Sequence, residues 1–284
     1  MGLYRTLLFE KYQFTVACFP SNRPPFHILP FMIRAKTRVI HDYGVHNCLL
    51  SGLSNKKVPA MDGIHDVEQN LGLLSCLEIA HPTAPYGLTF MIPKGDAEMA
   101  RKALRDMGIG PGDRLLGLHA GAGPLRGKQW PLERFLKVAT SLMAEKVFDR
   151  VLVFGGPEEE PKKVWLSKKI GSGRAHIVSA PINVVGGLIR ECDLFLSNDT
   201  GLMHIAASVG TKVLGIFGPT NWQRTAPYGP HAHFIRPTRE RIPCAPCLEY
   251  PFRGSRPRFK CKDSFPCLES ITVDQVLEAI YCIL

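Results

Sequence analysis

Residues 197–207 read Ser197-Asn198-Asp199-Thr200-Gly201-Leu202-Met203-His204-Ile205-Ala206-Ala207, and this stretch decides the fold class. It joins a short apolar run at 193–197 (DLFLS) to a run at 202–209 that is rich in Ala, Leu and Met and stops at Gly210. The pattern is strand, tight turn, helix. Asp199 or Thr200 is placed to cap the helix. The amides of Thr200 and Gly201 then point outward at the positive end of the helix dipole, where a phosphate binds without a metal. Gly201 lets a ligand approach the backbone closely. One strand later, the apolar run 212–217 ends in a second glycine corner, Gly218-Pro219-Thr220. In a parallel sheet both corners open on the edge where ligands bind.

Taken alone, such a unit also describes a capped helix in any α/β protein. Its repetition along the chain argues for more. Strands are predicted at 115–119, 150–154 and 176–179, and helices at 131–146, 162–170 and 184–192. The first two strands end in glycine corners, Gly121–Gly123 and Gly155-Gly156, as expected where loops at the C-terminal edge of a doubly wound sheet approach a ligand.

Four motifs carry a family resemblance: LLGLHAGAGPLRGKQWP at 115–131, VLVFGGPEEE at 151–160, SNDTGLMHIAASVGTKVLGIFGPT at 197–220, and Tyr228-Gly229 with the Cys-x-x-Cys that follows. With them the chain resembles glycosyltransferase family 9, the ADP-heptose:lipopolysaccharide heptosyltransferases. The likeness is specific from about residue 113 to the end and weaker over about 8–92, where FTVACFPSNRPPFHILPFMIRAKTRV and HDVEQNLGLL are similar to the family's acceptor domain. It implies an α/β fold of two Rossmann-like domains of GT-B type, the N-terminal one incomplete. Residues 1–110 would form a partial acceptor-binding domain. Residues 111–284 would form the nucleotide-sugar donor-binding domain, with a cysteine-containing loop and a C-terminal helix.

The activity implied is inverting transfer of a heptose or similar sugar from a nucleoside-diphosphate donor to a lipopolysaccharide core-type acceptor, with no cofactor required. Lys128 matches the family lysine that meets the diphosphate or the departing oxygen as charge develops there; Arg126 is a nearby alternative. Asp199 is expected to cap the helix and to accept from sugar hydroxyls. Glu159, at the end of the second strand, is the ribose-binding candidate, though the Glu158–Glu160 triplet leaves its register open by one. Thr200, Gly201, His204, Gly218, Pro219 and Thr220 complete the expected donor site. His65 and Asn70 read as structural or interdomain residues. One departure concerns the general base. Family members carry it in a Gly-Asp pair after an N-terminal strand, whereas Gly95-Asp96 and Gly112-Asp113 adjoin helical segments, so no base is assigned. The alternative reading is therefore an inactive, N-terminally truncated remnant that binds nucleotide sugar.

The formal charge of +10 and a pI near 9.2 point to an anionic partner. Basic residues cluster at Arg34, Lys36 and Arg38, and again at Arg236, Arg239, Arg241, Arg253, Arg256, Arg258, Lys260 and Lys262. An anionic lipid-linked saccharide at a peripheral membrane surface suits them. Nucleic acid would suit the charge too but is disfavoured, because only Tyr250, Phe252 and Phe259 interleave with the denser cluster. An NAD-dependent enzyme is disfavoured, since no G-x-G-x-x-G opens a helix. No apolar run approaches the ~18 residues of a membrane span and no secretory pattern opens the chain, which reads as cytoplasmic, at most peripheral at the inner face of the inner membrane. Cys244, Cys247, Cys261 and Cys267 have two readings: a structural zinc site, or reduced thiols or a local disulfide in a loop.

Overall fold

The chain forms two α/β units, each with a parallel sheet. The computed structural model describes residues 7, 10–20, 22–80, 87–123, 126–247, 261 and 264–284, with nothing stated for the side chains of His46 and Arg126. The described residues up to 80, together with Gln223–Thr225, form the first unit; the others form the second.

In the first unit three strands, β1 (Phe14–Val16), β2 (Thr37–Asp42) and β3 (Lys56–Pro59), pair in parallel in that order. Helix α1 (Pro25–Met32) connects β1 to β2, and α2 (Asp66–Gly72) follows β3. The expected structural roles of HDVEQN are visible. His65 caps α2 by accepting from the Val67 amide through Nδ1, and Asn70 Oδ1 accepts from the Phe19 amide at 2.5 Å. Arg38 is not a free surface cation: its guanidinium donates to the carbonyls of Leu53 and Ala35, each at 2.6 Å.

The second unit opens with α3 (Lys94–Asp106) and continues through β4 (Leu115–His119), α4 (Leu132–Ala144), β5 (Arg150–Val153), α5 (Glu160–Ile170), β6 (Ala175–Ile177), α6 (Ile182–Arg190), β7 (Leu194–Asn198), α7 (Gly201–Ser208) and β8 (Val213–Ile216). A short helix, α8 (Trp222–Thr225), of which Gln223–Thr225 belong to the first unit, precedes β9 (Ala232–Ile235). Beyond the cysteine-containing stretch come α9 (Pro266–Glu269) and α10 (Val273–Ile283), the latter opened by a Thr272–Gln275 capping box.

The six strands lie in the order β6-β5-β4-β7-β8-β9, all parallel. Strands covered by helices on both faces must be apolar throughout, and β4 (LLGLH) and β7 (LFLSN) are buried at every position. Close packing is set by small residues. A Cβ on Gly117 of β4 would lie 2.5 Å from the Phe195 ring, and one on Gly187 of α6 would lie 2.8 Å from the Ala100 methyl of α3. That second contact holds the buried face of α3 (Ala97, Ala100, Leu104) within this unit. Winding runs outward from β4 to β6 on one side and from β7 to β9 on the other. The C-terminal ends of β4 and β7 therefore flank the switch point, where a crevice opens.

Candidate functional site

At that switch point lies a cavity of about 740 Å³, within the 300–1,000 Å³ range of small-molecule sites. Its lining includes the apolar residues Val178, Ile182, Val185, Leu202 and Ile205 and, among its polar groups, His119, Glu159, Asp199, Thr200 and Gly201. Most of its wall thus comes from the ends of strands β4 to β7 and the first turns of α5, α6 and α7.

The corner after β7 forms as its sequence demands, with one exception. Thr200 occupies the N-cap position with extended backbone (φ −148°, ψ 168°), but its side chain makes no capping hydrogen bond among the described residues. Neither does Asp199 act as the cap. The Thr200 hydroxyl is drawn instead to His119 Nδ1 at 3.0 Å and Ser197 Oγ at 3.1 Å. The first amides of α7 are thereby left to the cavity, where backbone donors and the helix dipole favour an anion.

Asp199 accepts from Lys128 Nζ at 2.7 Å; the side chains are 7% and 17% exposed. Lys128 sits on a short turn, Arg126–Lys128, that approaches β7 because Asn198 clamps the loop around it. Asn198 Oδ1 accepts from the Trp130 amide at 3.0 Å, while its Nδ2 donates to the carbonyls of Ala120 and Gly121 at 2.9 and 3.1 Å. The side chain of Arg126, the alternative cation, lies outside the described residues.

Glu158, Glu159 and Glu160 all line the cavity, and of the three only Glu159 is buried. It is buried beside the Gly121 and Gly155 corners, and a Cβ on Gly121 would collide with its carboxylate. Oε2 accepts from His119 Nε2 at 2.9 Å and from the Gly156 amide at 3.2 Å. Burial pushes its pKa up, but the hydrogen bond from His119, the Gly156 amide and the charge of Lys162 together hold it below the usual carboxylate range. Nearby, Lys163 is 3% exposed and lines the cavity, with Nζ bound to Glu160 Oε2 at 2.7 Å and to Val178 O and Ser179 Oγ at 3.3 Å each.

Not every expected residue reaches the cavity. Asp199, Thr200, Gly201 and Glu159 line it, and Lys128 joins them through Asp199. His204 is half-buried on α7 and is not part of the wall. Gly218, Pro219 and Thr220 are also absent from the wall, and all three are buried. The reason is α9: a Cβ on Gly218 would lie 2.6 Å from Leu268 Cγ and 3.3 Å from Cys267 Sγ. The Thr220 hydroxyl is buried without a hydrogen-bond partner among the described residues. His119, Ser197, Asn198 and Lys163 are site residues that sequence reasoning missed.

Burial raises the Cys267 thiol to about 11, with the charges of Cys247, Cys261 and Cys244 adding to the effect. Yet no group of three or more His, Cys, Asp or Glu side chains is arranged to hold a metal ion among the described residues. Cys267 is buried on α9 and Cys244 is exposed. Of the denser basic cluster, Arg236 packs over the Trp222 ring at 4.7 Å, and Arg253, Arg256, Arg258, Lys260 and Lys262 lie outside the described residues, as do Tyr250, Phe252 and Phe259. No helix among the described residues is long and apolar enough to cross a membrane.

Comparison with known proteins agrees with this geometry. Residues 28–253 match the profile of glycosyltransferase family 9 (heptosyltransferase). The lipooligosaccharide heptosyltransferase 2 of Campylobacter jejuni is 28% identical over 144 residues, 49% of this chain and 43% of that enzyme, so the match spans less than half the length of this relative. Among solved structures, the glycosyl transferase family 9 protein of Veillonella parvula superposes with a TM-score of 0.77 at 20% identity, covering 99% of this chain and 77% of the other. The E. coli heptosyltransferase WaaC with ADP superposes with a TM-score of 0.70 at 18% identity, covering 99% and 76%. These likenesses show a GT-B type of fold. The chain belongs to glycosyltransferase family 9.

Proposed function

We propose that this member of glycosyltransferase family 9 binds a nucleoside-diphosphate sugar in the cavity of its second unit and transfers the sugar, with inversion, to a lipopolysaccharide core-type acceptor. The observation that carries the reading is the corner at Asp199–Gly201, where α7 opens toward a nucleotide-sized cavity beside the Lys128–Asp199 pair. ADP-heptose is the donor favoured, because ADP is named with a structural neighbour and heptose with the family. The nucleoside would lie against the apolar lining, its ribose hydroxyls donating to Glu159 and its diphosphate meeting the amides of Thr200 and Gly201.

As the bond from the anomeric carbon to the diphosphate oxygen breaks, negative charge grows on the leaving group. Lys128 stabilises that charge, and a positioned cation is worth most where water is excluded. Asp199 holds the ammonium in place and offers its other oxygen to a sugar hydroxyl. The acceptor hydroxyl attacks from the opposite face and loses its proton to a base that is not assigned. The first unit is the acceptor-binding candidate, and the basic surface suits an anionic lipid-linked saccharide at the inner face of the inner membrane.

The test is release of ADP from ADP-heptose in the presence of a heptose-deficient core acceptor. Transfer by this chain supports the reading, together with its loss in Lys128→Ala and Asp199→Ala. Unchanged turnover in both variants would sink the site assignment. Tight ADP binding without transfer would limit the reading to donor binding.

A further inference from the structure

His119 stands between Glu159 and Thr200, two residues that line the cavity. Its Nε2 is 2.9 Å from Glu159 Oε2, and its Nδ1 is 3.0 Å from Thr200 Oγ1 and 3.4 Å from Ser197 Oγ. An ionised carboxylate accepts only, so a neutral imidazole here carries its proton on Nε2. Nδ1 is then an acceptor. The Ser197 hydroxyl has spent its proton on the Asn198 carbonyl at 2.7 Å, so the donor to Nδ1 is the Thr200 hydroxyl. The proton of Thr200 thus points into the protein, and toward the cavity the oxygen presents lone pairs, which repel a phosphate oxygen. The other charged groups that face this cavity are Glu158, Glu160, Lys163 and Asp199, the last neutralised by Lys128.

We infer that His119 is a positioning residue that, as the Nε2–H tautomer, ties the ribose-binding carboxylate of Glu159 to the phosphate corner at Thr200, so that both are set by one imidazole. The Thr200 hydroxyl serves this tie, and the diphosphate meets only the Thr200 amide. This rests on the donor-site reading above and adds a residue and a division of labour that the reading does not contain. It also explains why the helix cap is missing: the hydroxyl that would cap α7 is engaged by a strand 81 positions away.

The experiment has a ligand-free arm and a ligand arm. Imidazole nitrogen shifts of the protein labelled at histidine should show a protonated Nε2 and an unprotonated Nδ1 at His119. The Nδ1–H tautomer, or a doubly protonated ring that frees the Thr200 hydroxyl, would overturn the inference whether or not a nucleotide binds. In the ligand arm, Thr200→Val should weaken ADP and adenosine by the same factor, about three- to tenfold, because the lost bond acts through Glu159 on the ribose. His119→Phe should weaken both by about tenfold, and His119→Gln, which keeps a donor and an acceptor, should recover most of that loss. A loss on Thr200→Val confined to ADP would overturn the inference by placing the hydroxyl on the phosphate. Failure of wild-type protein to bind ADP would instead overturn the donor-site reading, and the nitrogen shifts would still decide the tautomer.

Discussion

Two corners of the same sheet look alike in sequence and differ in what surrounds them. Asp199-Thr200-Gly201 follows β7 and Gly218-Pro219-Thr220 follows β8, each at the end of a buried parallel strand. The first opens into the cavity. The second is sealed beneath α9, with Leu268 and Cys267 against Gly218. Turn residues determine what a corner can do chemically, but strand order determines whether a ligand can reach it. β7 lies beside β4 at the switch point, and β8 is one strand removed.

The largest break this comparison could suffer concerns charge. Lys128→Ala should lower turnover by about 10²–10³-fold, the scale of removing one preorganised stabilising group, whereas Thr220→Val should leave turnover within about twofold. Equal losses measured under the same steady-state conditions would mean that both corners serve the ligand. Next in size is Gly218→Ala. A methyl there meets Leu268 at 2.6 Å, so thermal unfolding should report about 1–3 kcal/mol of destabilisation, with ADP affinity nearly unchanged once folded. A loss of affinity greater than the loss of folded protein would return the second corner to the site.

Smaller effects concern the polar lining. The folded-state pKa of Glu159 lies below its ordinary value of 4.5. Its ionised form therefore adds stability that is present above that ordinary value and is lost as pH falls through the lowered one. The stability gap between wild type and Glu159→Gln should accordingly shrink as pH drops below about 4.5, as read from urea midpoints across pH; a gap that widens in acid would contradict the network around His119. Smallest is Thr220→Val. Replacing a buried hydroxyl that has no partner among the described residues should be neutral or stabilising by up to about 1 kcal/mol in the same unfolding assay.

The alternation that defines the second unit was legible, and the reasons are local. Apolar strands at 115–119 and 150–154 and the strand–Asp-Thr-Gly–helix unit carry their own punctuation. Asp199, Thr200, Gly201 and Glu159 were legible for the same reason, since turn chemistry at strand ends places them. What was hidden depends on partners far along the chain. His119 reads as the last residue of a strand until Glu159 and Thr200, 40 and 81 positions away, are brought to it. Asn198 reads likewise until Trp130 arrives from 68 positions upstream. Arg38 looked like part of a basic surface, but its donors are used by backbone carbonyls. The Cys-x-x-Cys pattern specified neighbouring thiols without specifying their burial, and α9 buries Cys267 while leaving Cys244 exposed.

The most direct test of the account follows the backbone amides of both corners during titration with ADP. The amides of Thr200 and Gly201 should shift and exchange more slowly with solvent as the diphosphate settles on α7, while those of Gly218 and Thr220 stay as they were. Changes at Gly218 and Thr220 equal to or larger than those at Thr200 and Gly201 would contradict it.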